Sequence, residues 1–335
     1  MDNINLQLPY VGSFQNRSFT YLSENPLEEV WTRISQLGSS EFILFKSHPN
    51  HTNLNWNSIV QYSVIRIRQS VEFRNAFRYS TLLTSPLPLY YSFLNLTRSI
   101  LAINSATIPS KGHGLTFQIG TDILTSTATL SKGTFIDYLN FMRISLKPNL
   151  SITLSDTLSR ISEICNDYSL FRGPGQESLV VPITVDAKIN GNVLLIFPDS
   201  LTNFRSTWNQ EFPSLTGSTL EPTGNILKIH FQNHNYKSIS IFCINKLETD
   251  LIRRDTPIWY LVRQVNPDFI LPRPAYYFIA LFILSSIVRY QPELMLETMN
   301  PDSQLGWLLC RLLKAAERFY PQLMLNWLYD RTIYF

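Results

Sequence analysis

An apolar segment near the C-terminus, Ala275 to Val288, constrains the fold more than any other part of the sequence. It is shorter than the roughly 20 residues that a helix needs to cross a bilayer. A helix of this length that is apolar on all sides is usually enclosed by protein. We therefore expect no membrane span, and we expect the segment to lie in a core or in a subunit interface.

Both ends of the chain carry helical patterns. Caps, early prolines and apolar residues at helical spacing support this prediction. The predicted helices begin at Pro26, run from Asn55 to Tyr79, begin at Pro86, run from Ala275 to Gln291 and begin at Asn300. Pro321 is expected either to kink the last helix or to open a short helix of its own.

The middle of the chain has a β-rich texture. The dipeptide Asn190-Gly191 between two apolar segments is the strongest short signal for a hairpin. Strands are predicted at 115–119, 123–130, 179–186, 192–197, 225–231, 238–244 and 259–265, and one helix is predicted at 156–168. The segment Lys111-Gly112-His113-Gly114 is expected to be a loop.

Helices, then strands, then helices indicate an α+β fold with a helical N-terminal part, central antiparallel β hairpins and a helical C-terminal part. Three regions are predicted: residues 1–110, helical; 111–265, β-rich with one or two helices; and 266–335, helical. The third region is expected to pack with the N-terminal helices as one unit or to stand apart from them.

The composition places the chain in a reducing compartment. Aromatic residues make up 13% of the sequence, which is ample for a core, and the net charge is only +3. The three cysteines, Cys165, Cys243 and Cys310, are odd in number and far apart, so no disulfide framework or zinc spacing is indicated. The first residues show no signal peptide, and we expect a cytoplasmic protein.

Motif-bound enzyme classes lack support. The sequence contains no phosphate-binding Gly-x-x-x-x-Gly-Lys loop, no Gly-x-Ser-x-Gly elbow, no His-Glu-x-x-His and no Cys-x-x-Cys. These absences favour a protein that is not an enzyme and needs no cofactor. A catalytic set assembled from distant residues would escape this test.

Metal sites have only weak candidates. The pairs His48/His51 and His230/His234 lack a nearby carboxylate or thiolate, so surface histidine is the better interpretation of each. Asp186-Ala187-Lys188 fits half of a metal-dependent nuclease site, but this tripeptide is common and runs into a predicted turn. We expect no metal.

Arginines cluster on the second predicted helix. Arg66, Arg74 and Arg78 lie along one stripe, with Arg68 to one side. Guanidinium groups in a row can bind phosphates, and local charge, more than net charge, drives such binding. This pattern predicts a surface for nucleic acid or an acidic partner, and its alternative is a solvated helix face.

A second candidate site is centred on His113. The flanking glycines allow a backbone to approach a ligand closely, and histidine is easily tuned near neutral pH. Arg98 on the preceding helix could reach the same space, and Arg289 ends the apolar helix. The alternatives are a tight turn at His113 and an Arg289 that satisfies helix-end carbonyls.

Several blocks of the sequence occur together in a recognisable order. They are Tyr90-Tyr91, Asn95-Leu96-Thr97-Arg98, Lys111-Gly112-His113-Gly114-Leu115 and Gly133-Thr134-Phe135, followed by the segment from Pro274 to Glu293, which is the most specific of them. In residues and in order they resemble the blocks of the YaaC-like protein family. The resemblance implies a bacterial, cytoplasmic protein and draws attention to Arg98, His113 and Arg289, without assigning them a role.

Three functions follow as hypotheses. The first is a non-catalytic binding protein that engages nucleic acid or a protein partner, as a component of a bacterial stress or phage-defence system. The second is a metal-dependent nuclease or nucleotide-processing hydrolase, with His113, Arg98 and Arg289 as catalytic candidates. The third is a scaffold subunit that forms homo- or hetero-oligomers through its C-terminal helices.

Overall fold

The structure is a computed structural model of the chain. The structure describes residues 18–41, 43, 56–174, 176, 178–187, 192–198, 208–212, 215, 219–223, 226–230, 247–252, 258–264, 269–300 and 303–335.

Helices and strands alternate in blocks along the chain. The helices are α1 (Pro26–Gln36), α2 (Trp56–Tyr79), α3 (Pro86–Ser105), α4 (Thr134–Phe141), α5 (Leu154–Leu158), α6 (Cys165–Arg172), α7 (Trp208–Glu211), α8 (Arg273–Tyr290), α9 (Pro292–Thr298) and α10 (Gln304–Tyr329), with a 3₁₀ turn at Ser162–Ile164. The strands are β1 (Ser18–Thr20), β2 (His113–Gln118), β3 (Thr127–Gly133), β4 (Ser151–Thr153), β5 (Val180–Ala187), β6 (Asn192–Ile196), β7 (Thr219–Thr223), β8 (Ile226–His230), β9 (Glu248–Thr249), β10 (Trp259–Val262) and β11 (Thr332–Tyr334).

The predicted α+β class is confirmed, with helical N- and C-terminal parts and antiparallel sheets between them. The chain divides into two compact units. The helical unit comprises residues 23–177 and 271–329, and the sheet unit comprises 1–22, 178–270 and 330–335. In this division residues 111–177 group with the helices, and the N- and C-terminal helices belong to one unit, which is one of the two arrangements considered for the third region.

Helix α3 is the centre of the helical unit, since α2, α8 and α10 all pack against it. Small serines let α2 and α3 approach closely: Ser92 Oγ donates to Ser70 O at 2.8 Å and Ser99 Oγ donates to Ser63 O at 3.1 Å. On another side of α3, the rings of Phe93 and Tyr320 stack with their centroids 3.8 Å apart. Almost every side chain of α3 from Leu89 onward is therefore buried.

The apolar segment from Ala275 to Val288 lies in α8. Its side chains from Ala275 to Ile287 are buried within the chain itself, as expected for a core helix. Among the described helices none is alone long and apolar enough to cross a bilayer, and α8 with α9 meets that test only as a pair bent by 116°.

Helix α10 continues through Pro321, so the predicted last short helix is part of it. Proline has no N–H to donate to the carbonyl four residues earlier, which is that of Glu317. Trp31 of α1 supplies the missing donor, with its Nε1 3.0 Å from Glu317 O. A helix from the start of the chain thereby satisfies a carbonyl near its end.

The helical unit also holds a three-stranded antiparallel sheet in the order β2-β3-β4. His113 pairs with Gly133 and Leu115 with Leu130, so the register shifts between them. Gly114 and Gly133 have φ values of 88° and 150°. A Cβ on Gly133 would lie 2.4 Å from Gly114 N, so this close crossing of two backbones requires glycine.

The sheet unit contains a six-stranded antiparallel sheet in the order β7-β8-β6-β5-β10-β9. The strands predicted on both sides of Asn190-Gly191 pair as β5 and β6, with Val185 opposite Leu195. Alternate residues of these strands form an apolar core with Phe212 and Trp259. The short strands β1 and β11 pair in parallel in the same unit.

Several local predictions differ from the structure. The expected loop at Lys111 to Gly114 ends at Gly112, because His113 begins β2. The expected helix at 156–168 is interrupted by a 3₁₀ turn. Helices α4 and α9 lie where no helix was predicted. The strand predicted at 225–231 pairs with β6 and β7, and its predicted partner at 238–244 lies outside the described residues.

Candidate functional site

His113 contacts the phenol of Tyr90 in the helical unit. Its Nδ1 lies 2.7 Å from Tyr90 Oη, and the ring also contacts Phe282 of α8, with centroids 6.0 Å apart. Burial raises the pKa of Tyr90 far above its ordinary value, so the phenol keeps its proton at neutral pH. Either Tyr90 Oη or His113 Nδ1 can be the donor of this hydrogen bond. The other ring nitrogen, Nε2, makes no hydrogen bond among the described residues.

Arg98 is held against the strand that carries His113. Its Nε donates to Thr134 Oγ1 at 3.0 Å, and its Nη2 donates to the carbonyls of Lys111 and Gly112. Thr134 Oγ1 in turn donates to the same Gly112 carbonyl at 2.9 Å. Helix α3 therefore fixes the chain just before His113, and the Nη1 of Arg98 makes no hydrogen bond within the described structure.

Arg289 lies in the last turn of α8. Its Nε donates to Ser285 O at 3.2 Å and its Nη2 to Ser286 Oγ at 3.2 Å. Both partners lie about one turn before Arg289 inside α8, so neither belongs to the last four carbonyls of the helix. The guanidinium also lies 5.0 Å from the ring centroid of Tyr290, which is 62% exposed. The Nη1 of Arg289 remains available in the part of the chain that is described.

Arg66 of α2 contacts α3, the helix that carries Arg98. Its Nη1 donates to Asn95 Oδ1 at 3.0 Å and to Gln69 Oε1 at 3.0 Å, and its guanidinium lies over the Tyr62 ring. Sequence reasoning placed Arg66 in the arginine stripe and did not connect it with His113. The connection runs through Asn95, one turn before Arg98 on α3.

Electrostatic effects link these side chains pair by pair. The pKa of His113 is lowered by burial first, then by the charges of Arg98 and Arg289. The pKa of Arg98 is lowered by burial, and the charge of Arg66 lowers it further. Arg98, His113 and Arg289, which the sequence analysis grouped, thus lie around Tyr90. We call Arg66, Arg98, Arg289, His113 and Tyr90 the open arginine site.

No carboxylate neutralises the open arginine site among the described residues. All acceptors that its guanidiniums reach are neutral: amide, hydroxyl and carbonyl oxygens. Half-buried positive charge without a counter-ion is unfavourable, because desolvation is not offset by attraction. An anion supplied from outside would relieve this cost.

Arg74 of the predicted stripe has a different environment. It is 3% exposed, and its guanidinium donates to Glu317 Oε1 at 2.8 Å and to Glu28 Oε1 at 2.6 Å. It also lies over the Trp31 ring, and Arg78 reaches Glu28 at 3.2 Å. We call Arg74, Arg78, Glu28 and Glu317 the closed ion-pair cluster.

The predicted stripe is therefore not one continuous surface. Burial and two carboxylates from α1 and α10 occupy Arg74, which explains why it cannot meet a ligand in this state. Arg68 and Arg78 are exposed on α2. Their part in binding stays a prediction, as do the catalytic roles considered for Arg98, His113 and Arg289.

Metal ligands do not gather in the described part of the chain, where no group of three His, Cys, Asp or Glu side chains is placed to hold an ion. Asp167, an acid upstream of Asp186, pairs with Arg311, whose Nε lies 3.1 Å from Asp167 Oδ2. His48, His51, His234 and Lys188, and the side chain of His230, lie outside the described residues.

A cavity of about 450 Å³ lies beyond the C-terminal end of α3, lined by residues that include Leu101, Ile108 and Phe141. Asp137 on its wall accepts from Ser110 N at 2.7 Å, and Ser110 O accepts from Thr134 Oγ1 at 2.9 Å. The segment from Ser110 to Gly112, which we call the strap, is thus held by Arg98 of α3 and by Thr134 and Asp137 of α4.

The family model for YaaC-like proteins matches residues 43–328, which is most of the chain and includes every residue of the open arginine site. The chain belongs to the YaaC-like family. No curated protein and no solved structure matches it. The resemblance inferred from the sequence blocks is confirmed, and the family assignment leaves the function to be argued from the site.

Tyr90 and Asn95 were not proposed as site residues from the sequence. A signal was present, since Tyr91, Asn95 and Arg98 recur at helical spacing on a face of α3. Polar residues in an otherwise buried helix normally need partners, and here those partners are His113, Arg66 and the strap.

Proposed function

We propose that this YaaC-like protein binds nucleic acid, with the open arginine site as the place where phosphate groups dock. The observation that carries the proposal is the lack of a carboxylate partner for Arg66, Arg98 and Arg289 among the described residues, whereas Arg74 has two. Phosphate oxygens are the acceptors that guanidinium groups bind best in two-point contacts.

Aromatic side chains support a nucleic-acid ligand over a simple inorganic anion. Tyr290 is largely exposed beside Arg289, and Tyr62 lies under Arg66. Bases stack on such rings in single-stranded nucleic acid. Lys111 and Lys132, both exposed, flank the crossing of Gly112 and Gly133 next to the site.

The test is fluorescence anisotropy with labelled single-stranded RNA and DNA at low salt, followed by a salt titration. Replacing both Arg98 and Arg289 by Gln should weaken binding by about tenfold or more, since each removes a charge-assisted contact. Arg33→Gln is the matched control, because Arg33 pairs with Glu29 on α1. Equal losses in the two proteins would contradict the proposal.

Exposed Arg68 and Arg78 are tested separately. Arg68→Gln should reduce the salt dependence of binding without abolishing it, because Arg68 would contribute one peripheral phosphate contact. Arg78→Gln should reduce it less, because Arg78 is already paired with Glu28. A loss as large as that of the Arg98 and Arg289 double variant would move the binding surface to α2.

A hydrolase centred on His113 is the second candidate. The lowered pKa of His113 and its hydrogen bond with Tyr90 favour it, because a neutral, oriented imidazole can accept a proton. Metal dependence would require ligands outside the described residues. Cleavage of RNA or DNA with Mg²⁺ present that disappears in His113→Ala would establish this function.

A partner protein and a role in bacterial stress or phage defence are further proposals, together with a cytoplasmic location. Leu296 of α9 and Trp307 of α10 are 64% and 47% exposed, which supports a contact surface on the C-terminal helices. Light scattering of the purified chain and of a Leu296→Ser, Trp307→Ser variant tests a homo-oligomer formed there.

A further inference from the structure

The nature of the phosphate group can be argued from the charge balance of the open arginine site. Arg98 and Arg289 both act on His113, Arg66 acts on Arg98, and no carboxylate opposes these guanidiniums among the described residues. A phosphodiester inside a strand brings one negative charge. A terminal phosphate monoester brings close to two at neutral pH, and so offsets more of the uncompensated charge.

The unused hydrogen-bond donors also favour a terminal phosphate. In the described structure Arg98 Nη1, Arg289 Nη1, Arg66 Nε and Nη2, and His113 Nε2 make no hydrogen bond, while the other nitrogens of these side chains hold the scaffold. A phosphodiester has two unsubstituted oxygens, and a monoester has three. These donors come from four elements, and three acceptor oxygens can satisfy more of them than two.

The burial of the site also favours a terminal phosphate over an internal phosphodiester. Tyr90 is 0% exposed and Arg98 is 9% exposed, whereas Arg66, His113 and Arg289 are partly exposed, so a ligand can reach little of Arg98 and none of Tyr90 from the surface. A phosphodiester carries a nucleotide on each side and needs an open track along the surface. A terminal phosphate carries a nucleotide on one side only and can enter end-on.

We propose that the open arginine site recognises the terminal phosphate monoester of a nucleic-acid strand. This inference rests on the proposed nucleic-acid binding and specifies which part of the strand is bound. Exposed Lys111 and Lys132 contact the phosphodiesters that follow the terminal group. Tyr290, beside Arg289, offers a surface on which the first base stacks.

The experiment compares single-stranded ten-nucleotide oligomers of one sequence that carry a 5′-phosphate, a 3′-phosphate or hydroxyls at both ends. Binding of the full chain is measured by anisotropy. We expect one of the phosphorylated oligomers to bind about tenfold more tightly than the hydroxyl oligomer, because the extra charge adds a charge-assisted contact. Arg289→Gln should remove most of this difference.

Lys132→Gln is the control variant, since it should weaken all three oligomers by a similar factor and leave their ratio unchanged. Adenosine monophosphate and inorganic phosphate are added as competitors. If adenosine monophosphate binds as tightly as the phosphorylated oligomer, the site takes the monoester of a free nucleotide and the strand is not required.

The outcomes separate the two proposals. Equal binding of all three oligomers, weakened by Arg98→Gln and Arg289→Gln, would overturn terminal recognition and leave nucleic-acid binding in place. No binding of any oligomer, or binding unaffected by these variants, would overturn both. Circular dichroism of each variant, compared with the parent chain, identifies any loss that comes from unfolding.

Discussion

Two arginine groups of the helical unit differ in one respect that decides what each can do. In the closed ion-pair cluster, Arg74 meets carboxylates from α1 and α10 and is buried. In the open arginine site, Arg66, Arg98 and Arg289 meet only neutral acceptors among the described residues. Arg66 and Arg74 lie on the same helix. The supply of carboxylates by neighbouring elements, and not the helix itself, therefore separates a structural arginine from one that can bind.

Removing Arg74 should have the largest effect on stability. Arg74→Met leaves Glu317, which is 8% exposed, without its ion-pair partner, and breaking a buried pair in this way costs about 3 kcal/mol or more. Arg289→Gln should cost less than about 1 kcal/mol, because the arginine donates only to neutral acceptors of its own helix. Urea unfolding of the two variants measures both, and equal costs would remove the distinction between the two groups.

A change at the glycine crossing beside His113 should have the next largest effect on stability. Gly133→Ala places a Cβ 2.4 Å from Gly114 N and 2.7 Å from Gly112 O, so backbone must move. We expect a cost of about 3 kcal/mol together with weaker oligomer binding, because the strap that Arg98 holds is displaced.

Gly173→Ala is the matched control for that crossing. Gly173 also has a positive φ, 76°, but a Cβ there would meet nothing within 4 Å. Its cost should be limited to backbone strain of about 1 kcal/mol, with oligomer binding unchanged. Similar costs at both glycines would show that strain, and not the close crossing, governs Gly133.

Removing the hydrogen bond from Trp31 to α10 should lower the free energy of unfolding by less, and by an amount that depends on Pro321. Trp31→Phe leaves the Glu317 carbonyl without a donor and should cost about 1–3 kcal/mol beyond the lost packing. In a Pro321→Ala background the helix regains its own N–H at that carbonyl, so the cost of Trp31→Phe should fall. A double-mutant cycle from urea unfolding measures the difference, and simple additivity would mean that the carbonyl finds another donor.

Local patterns in the sequence predicted much of this fold. The cap at Asn25, the proline starts and the Asn190-Gly191 turn act within a few residues, and the elements beside them occur nearly as predicted. The interruption of the 156–168 helix could not be read in the same way. The capping box of Thr153 and Asp156 starts α5 two residues earlier, and this helix ends at Leu158.

The site was only partly predictable because its partners are distant in the chain. Flanking glycines drew attention to His113, and the end of the apolar helix drew attention to Arg289. Arg98 was noticed because it lies on the helix before His113. The partners of Arg74 are 46 and 243 residues away, so its burial could not be foreseen. The same limit hid the link from Arg66 through Asn95 to Arg98. Which arginine meets a carboxylate is a property of the packing.

The smallest expected effect is a pH dependence of anion binding that the open site should show. Burial, Arg98 and Arg289 hold the pKa of free His113 below its ordinary value of 6.5. A bound anion stabilises the protonated imidazole and raises that pKa. Between the two values the complex takes up a proton, so affinity should increase as the pH falls through this window and level off below the lower pKa.

Sulfate is the probe for this effect, because a phosphate monoester itself titrates at about pH 6. Sulfate affinity and proton uptake are measured by calorimetry in two buffers that differ in ionisation enthalpy. His113→Asn, which keeps a polar atom where Nδ1 meets Tyr90, should lose the pH dependence and retain binding through the arginines. An unchanged dependence in His113→Asn would assign the proton to another group. No dependence in the parent chain would mean that the anion binds away from His113, and that the arginines and His113 do not form one site.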